Sequence, residues 1–120
     1  MKKILIVEDV EWNRDLLVQL LEGDYEVVQA EDGRQGLDMA QAEHPDLILM
    51  DLSLPQMDGW ELAASIRGTE DIRDVPIIAV TAHAMAGDEE RAMEAGCNDY
   101  ITKPIDEDEL LKKVRGLIGE

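Results

Sequence analysis

Apolar residues gather in five short runs, and the longer stretches between them carry helical spacing. The runs are Lys3 to Val7, Glu26 to Ala30, Leu47 to Met50, Ile77 to Val80 and Tyr100 to Thr102. The first, third and fourth are almost wholly apolar, as strands buried on both faces must be. The second alternates and reads as an edge strand. The fifth is short. A helix over about Glu11 to Leu21 turns Leu16, Leu17, Leu20 and Leu21 inward. A second runs from about Arg34 to Ala42, after Asp32-Gly33, and His44-Pro45 reads as its end. The third opens at Asp58, with Glu61 three residues on in the manner of a capping box. The fourth, about Asp88 to Ala95, offers little beyond Ala92 and Met93 and stops at Gly96. The last follows Asp106 and Glu109 and carries Leu110, Leu111, Val114, Leu117 and Ile118 as one apolar stripe. Strand and helix thus alternate five times. The expected class is α/β, a five-stranded parallel sheet covered on both faces through right-handed crossovers. No repeat, low-complexity stretch or linker interrupts the pattern. Residues 1–120 are expected to form one domain, with no output domain and with output through protein contacts.

Composition narrows the setting. Of the 120 residues, 45% are apolar and 32% charged, the balance of a folded globular domain. No apolar run nears the roughly 20 residues that span a bilayer, and MKKILIVEDV lacks the h-region and cleavage site of a signal peptide. The single cysteine, Cys97, excludes an internal disulfide and reads as a small buried residue in a cytoplasmic protein. The net charge of −17 repels nucleic acid and anionic membranes and mildly opposes self-association, so a monomer or transient dimer is expected.

Ligands of open α/β sheets bind beyond the C-terminal strand ends. There the sequence places Glu8 and Asp9 after strand one, Asp51 after strand three, Thr81 after strand four and Lys103 after strand five. Close carboxylates repel unless a cation intervenes. A hard divalent ion such as Mg²⁺ suits oxygen donors, with Glu8, Asp9, Asp51 and a main-chain carbonyl near Ser53 as candidate ligands. Lys103 adds a fixed positive charge, and Thr81 a hydroxyl donor. Trp12 and Trp60 open two helices near this rim and read as packing or rim residues. The Tyr100 hydroxyl suits a wet edge.

Four motifs in order, IVED at residues 6 to 9, MDLSLPQMDG at 50 to 59, VTA at 80 to 82 and KP at 103 to 104, make the chain resemble a response-regulator receiver domain of the CheY-like kind over essentially its whole length. The resemblance implies a (βα)5 doubly wound, flavodoxin-like sheet in the order 2-1-3-4-5. It implies a two-component phosphorelay switch rather than an enzyme. Asp51 would accept a phosphoryl group from a phosphohistidine on a histidine kinase or a histidine phosphotransfer protein. Asp9, Asp51 and the Ser53 carbonyl would ligate Mg²⁺, with Glu8 acting through a metal-bound water. Thr81 and Lys103 would contact the phosphoryl oxygens, Tyr100 would change rotamer with Thr81 on activation, and Pro104 would follow a cis peptide. Helix four, strand five and helix five would form the face for a downstream protein target. His83 and Ser53 would tune how long the phosphoryl group lasts. The segment TAHAMAGDEERAMEAGCNDYITKPI is similar to that of DivK-type single-domain regulators and of receivers attached to hybrid histidine kinases. Val10 departs from the asparagine or acid often found after the acidic pair.

Two other classes make different demands. A pseudo-receiver docking module that is never phosphorylated usually lacks the acceptor or the acidic pair, and both are present here. An aspartyl-phosphate phosphatase commonly places a second acid two residues after its nucleophile, where this chain has Ser53.

Overall fold

The computed structural model describes residues 1–52, 54, 57–81 and 88–119, with the side chains of 88 and 89 outside that description. Two of the expected tuning residues, Ser53 and His83, lie outside the described residues. The strands are β1 (Lys3–Val7), β2 (Glu26–Ala30), β3 (Leu47–Asp51), β4 (Ile77–Thr81) and β5 (Asp99–Thr102). The helices are α1 (Glu11–Leu21), α2 (Gly33–Glu43), α3 (Gly59–Arg67), α4 (Asp88–Ala95) and α5 (Glu107–Ile118). A 3₁₀ turn, Glu70–Ile72, precedes β4. Strand pairing is parallel throughout, in the order β2-β1-β3-β4-β5. This is the doubly wound, flavodoxin-like order, and β2 is an edge strand as its alternation requires. Among the described residues no helix is long and apolar enough to cross a membrane.

Alternation along each central strand feeds two separate cores. Leu5, Val7, Ile48, Met50, Ile77 and Ala79 pack with Ala40, Leu62, Ala63, Ile66 and Ala92, the face covered by α2, α3 and α4. Ile4, Ile6, Leu47, Leu49, Ile78 and Val80 pack with Leu17, Leu21, Leu110 and Val114, the face covered by α1 and α5. Both side-chain sets of the central strands are therefore dry, which explains runs with no polar position. One helical expectation fails. Leu16 on α1 is 38% exposed, whereas Leu17 and Leu21 are buried. An eleven-residue helix lying on a sheet buries one stripe, and 16 falls beside that stripe rather than in it.

The helix boundaries follow the caps. Asp32, Asp58 and Asp106 each accept a hydrogen bond from the amide three residues on, at 2.7, 2.9 and 3.1 Å. α4 ends in a Schellman turn: Gly96 (φ 113°) donates to Met93 and Cys97 to Ala92. His44 closes α2 in the left-handed region, ahead of Pro45. The Lys103–Pro104 peptide is cis.

Arg67, the last residue of α3, ties three connections together. Its guanidinium donates to the carbonyls of Gly96 (3.0 and 2.7 Å), Arg73 (2.7 Å) and Val75 (2.6 Å) and to Asn98 Oδ1 (2.8 Å). Asn98 in turn accepts the amide of Ile77 at 2.9 Å, so the entries to β4 and β5 share one anchor. Nearby Cys97 is buried, and burial pushes its thiol up to about 11, leaving it neutral and unreactive. Replacing Arg67 with methionine strands the two part-buried carbonyls of Gly96 and Val75. The expected loss is about 2–3 kcal/mol in urea unfolding, because an orphaned buried acceptor costs its full desolvation. Arg67→Lys is expected to recover less than half of it, since an ammonium lacks the planar fork. An Arg67→Met protein as stable as the parent would refute this anchor.

Candidate functional site

Register carries the polar residues to one place. Val7 pairs with Met50, so Glu8 and Asp51 leave neighbouring strands side by side. Asp51 pairs with Val80, and Thr81 with Thr102, which brings Thr81 and then Lys103 up to the same rim. The Lys103 amide donates to the Thr81 carbonyl at 2.7 Å, one step beyond the last ladder pair. The helices give way at this rim. A Cβ on Gly59 would lie 2.6 Å from the Asp51 carbonyl oxygen and 2.7 Å from the Leu52 Cα, so α3 starts against the end of β3 only because residue 59 has no side chain.

Glu8, Asp9 and Asp51 each present a carboxylate oxygen within 4.8 Å of the others. Glu8 is 1% exposed and Asp51 7%, while Asp9 faces solvent. Lys103 Nζ reaches both buried acids, 2.8 Å from Glu8 Oε1 and 2.8 Å from Asp51 Oδ2. Glu8 Oε2 accepts the Val10 amide at 3.0 Å, so both of its oxygens are engaged. Burial pushes Glu8 up to about 7; Asp51's negative charge adds to this, and the bonds from Lys103 and Val10 oppose it. Burial works against the Lys103 charge, but its bonds to Asp51 and Glu8 outweigh that and hold its pKa above the ordinary value. Three carboxylates around one ammonium leave excess negative charge on hard oxygen donors. That donor set fits a divalent cation of the Mg²⁺ type, which takes one or two carboxylates together with water.

Of the residues expected at the site, the structure brings Glu8, Asp9, Asp51, Thr81 and Lys103 together; Ser53 lies outside the described residues. Thr81 is buried at the end of β4. Tyr100 sits on the next strand, half-buried against the core under α3 and α4. Its hydroxyl oxygen is shielded from solvent, not at a wet edge, because the side chain packs against that core cluster. Lys113 of α5 donates to the Tyr100 carbonyl at 2.7 Å and pairs with Asp99 at 3.1 Å, fastening β5 to α5. The two tryptophans part ways. Trp12, three residues after Asp9, is 79% exposed on α1 and is a rim residue, not a packing one. Trp60 is half-buried, with the Arg91 guanidinium 4.5 Å above its ring, a contact between α3 and α4.

Sequence reasoning passed over Arg14. Its Nη1 donates to the Glu8 carbonyl at 2.9 Å, and its Nη2 faces Glu31 at 3.5 Å. The available signal was a cation on the first helix, six residues beyond Glu8 and within a turn of the acidic loop.

Comparison with known proteins converges on one group. The family model described as the response regulator receiver domain matches residues 4–115. The polar-differentiation response regulator DivK of Brucella ovis is 42% identical over 120 residues, covering 99% of this chain and 98% of that protein. The receiver domain of a sensor histidine kinase from Pseudomonas aeruginosa PAO1, solved with a magnesium ion coordinated in its active-site cleft, superposes with a TM-score of 0.91 at 40% identity, covering 99% of this chain and 98% of that one. The receiver domain of the Saccharomyces cerevisiae response regulator Ssk1, solved with the histidine phosphotransfer signalling protein Ypd1, gives a TM-score of 0.89 at 32% identity, covering 97% and 88%.

The raised Glu8 pKa makes stability depend on pH in a set direction. A carboxyl whose folded pKa lies above its ordinary 4.5 stabilises fully below 4.5, and that contribution is lost as pH rises through about 7. In EDTA, Glu8→Gln is therefore expected to gain stability relative to the parent between pH 4.5 and 7 and to hold a constant difference above pH 8. Urea midpoints of both proteins across that range check it. A difference that does not change with pH would mean that Glu8 titrates as it does in the unfolded chain.

Proposed function

We propose, for a chain that belongs to the response regulator receiver domain family, that Asp51 is the phosphoryl acceptor of a Mg²⁺-dependent signalling switch. The observation that carries this reading is Lys103, held at 2.8 Å from both Asp51 and Glu8 among three converging carboxylates. An Asp51 carboxylate oxygen attacks the phosphorus of a donor phosphohistidine. The P–N bond breaks as the O–P bond forms, and the imidazole leaves with the electron pair of the broken bond. Such transfers need position and charge neutralisation more than covalent help. Asp9, Asp51 and the Ser53 carbonyl would hold Mg²⁺, with Glu8 acting through a metal-bound water, and the ion would supply neutralisation of the phosphoryl charge. Lys103 exchanges its bond to Asp51 for one to a phosphoryl oxygen while staying on Glu8. The Thr81 hydroxyl donates to another phosphoryl oxygen.

The new group brings a charge of about −1.5 to −2. Drawing Thr81 and Lys103 toward it shifts β4 and β5, and Tyr100 follows on β5. This biases two existing arrangements rather than building a new one. The output face is α4, β5 and α5. There a groove of about 660 Å³ is lined by Asp99, Asp106, Asp108, Glu109, Lys112 and Lys113, a mixed-charge surface suited to a protein target. The phosphodonor is a histidine kinase or a histidine phosphotransfer protein, a reading supported by likeness to the Ssk1 receiver. We read residues 1–120 as one receiver domain, cytoplasmic, monomeric or transiently dimeric, with a net charge of −17 that disfavours nucleic acid and anionic membranes.

Intact mass after incubation with acetyl phosphate and Mg²⁺ tests the reading. One labile phosphoryl adduct is expected on the parent, none in EDTA and none on Asp51→Asn. Lys103→Met is expected to accept the group at least about tenfold more slowly, having lost a donor to the developing charge. No adduct from either acetyl phosphate or a phosphorylated histidine phosphotransfer protein would make the chain a docking module instead.

A further inference from the structure

Arg14 sits beside the acidic trio, which attracts it when metal-free, yet it would repel a divalent ion bound there. It lies on α1, its side chain is 11% exposed, and Nη1 donates to the Glu8 carbonyl at 2.9 Å. That oxygen belongs to the peptide group whose nitrogen is Asp9's. Glu8 is held at its other polar atoms as well: its amide donates to Ala30 (3.1 Å), Oε2 accepts from Val10 (3.0 Å) and Oε1 from Lys103 (2.8 Å). Asp9 has no such packing, being the solvent-facing member of the acidic trio. Its direction is therefore set by the peptide that precedes it, and Arg14 grips that peptide.

Charge alone argues against an arginine here, because a guanidinium repels a divalent ion bound nearby. A neutral donor would satisfy the carbonyl equally well. What an arginine adds is a rigid fork able to hold two partners at once. Its second arm faces Glu31 Oε1 at 3.5 Å, at the end of β2, so the side chain spans the loops that follow β1 and β2.

We infer that Arg14 is a positioning residue for the cation centre: by fixing the 8–9 peptide, it aims the Asp9 carboxylate at Glu8 and Asp51. The inference rests on the reading that this trio takes Mg²⁺, and it predicts an effect opposite in sign to that of charge. If Arg14 acted only through its charge, removing it would tighten Mg²⁺ binding. As a positioning residue, its removal weakens binding, on the scale of other groups that orient metal ligands from behind.

The test uses the whole chain and two readouts. Arg14→Met keeps the aliphatic stem and loses the fork. Calorimetric titration is expected to show Mg²⁺ affinity about tenfold weaker than in the parent. In EDTA, hydrogen exchange of the Val10 amide is expected to quicken about tenfold or more, while amides of Ile6 and Leu49 in the central strands change little. Glu31→Gln, which takes only the charge from an exposed and longer contact, is expected to stay within about twofold in affinity. Equal or tighter Mg²⁺ binding by Arg14→Met overturns the inference. So does weaker binding with unchanged Val10 exchange, and so does exchange that quickens at Ile6 and Leu49 in step with Val10, which marks a general loss of stability. A parent protein that binds no Mg²⁺ removes the cation reading itself and with it this inference, whereas the metal-free exchange still tells whether Arg14 holds the loop.

Discussion

Two carboxylates buried side by side would repel each other and lose their hydration, and one would take up a proton unless a cation lay between them. Glu8 and Asp51 are such a pair, and Lys103 is that cation, 2.8 Å from each. The three come from the ends of β1, β3 and β5. Nothing local holds them together; the sheet does. Shifting one parallel strand by a residue would exchange its two faces and withdraw its acid or its lysine from the cluster. The two dry cores set the register, since each central strand must deliver alternate side chains to opposite helical layers. Hydrophobic packing on both faces thus fixes an electrostatic arrangement at one edge.

The same dependence explains why the close approaches around the site involve glycine. Gly59 lets α3 begin against the main chain of Asp51 and Leu52, and a Cβ on Gly33 would collide with the Met57 carbonyl, so α2 starts against the loop that follows β3. Both glycines follow an aspartate that caps its helix through the amide three residues on. The cap fixes where the helix starts, and the missing side chain lets that start press against the end of β3 and the loop after it.

The far side of the domain is held differently. Arg67 and Asn98 fasten the entries to β4 and β5 through polar bonds, and Lys113 fastens β5 to α5. α4 contributes the buried Ala92 to the core and leaves Met93 exposed. A layer that buries mainly small side chains and is tied by a few part-buried polar bonds differs from the densely packed central strands.

The sequence by itself determined the element order and the class of sheet, and it marked the polar residues that follow the strands. Those follow from local facts: apolar runs of strand length, capping aspartates, and polar residues placed directly after strands. Even boundaries came close, with β3, β4 and β5 each one residue longer than their apolar runs, because backbone pairing continues past the point where side chains turn polar. Only the tertiary structure decided that Lys103 bridges two acids instead of pairing with one, that Leu16 and Trp12 face solvent, and that the Tyr100 hydroxyl is shielded. It alone showed Arg14 gripping the carbonyl before Asp9. Periodicity tells which stripe of a helix is apolar, not how wide a stripe its neighbours cover. A long charged side chain reaches several ångströms from its own Cα, so its partner is set by packing between elements distant in sequence, which no local pattern encodes.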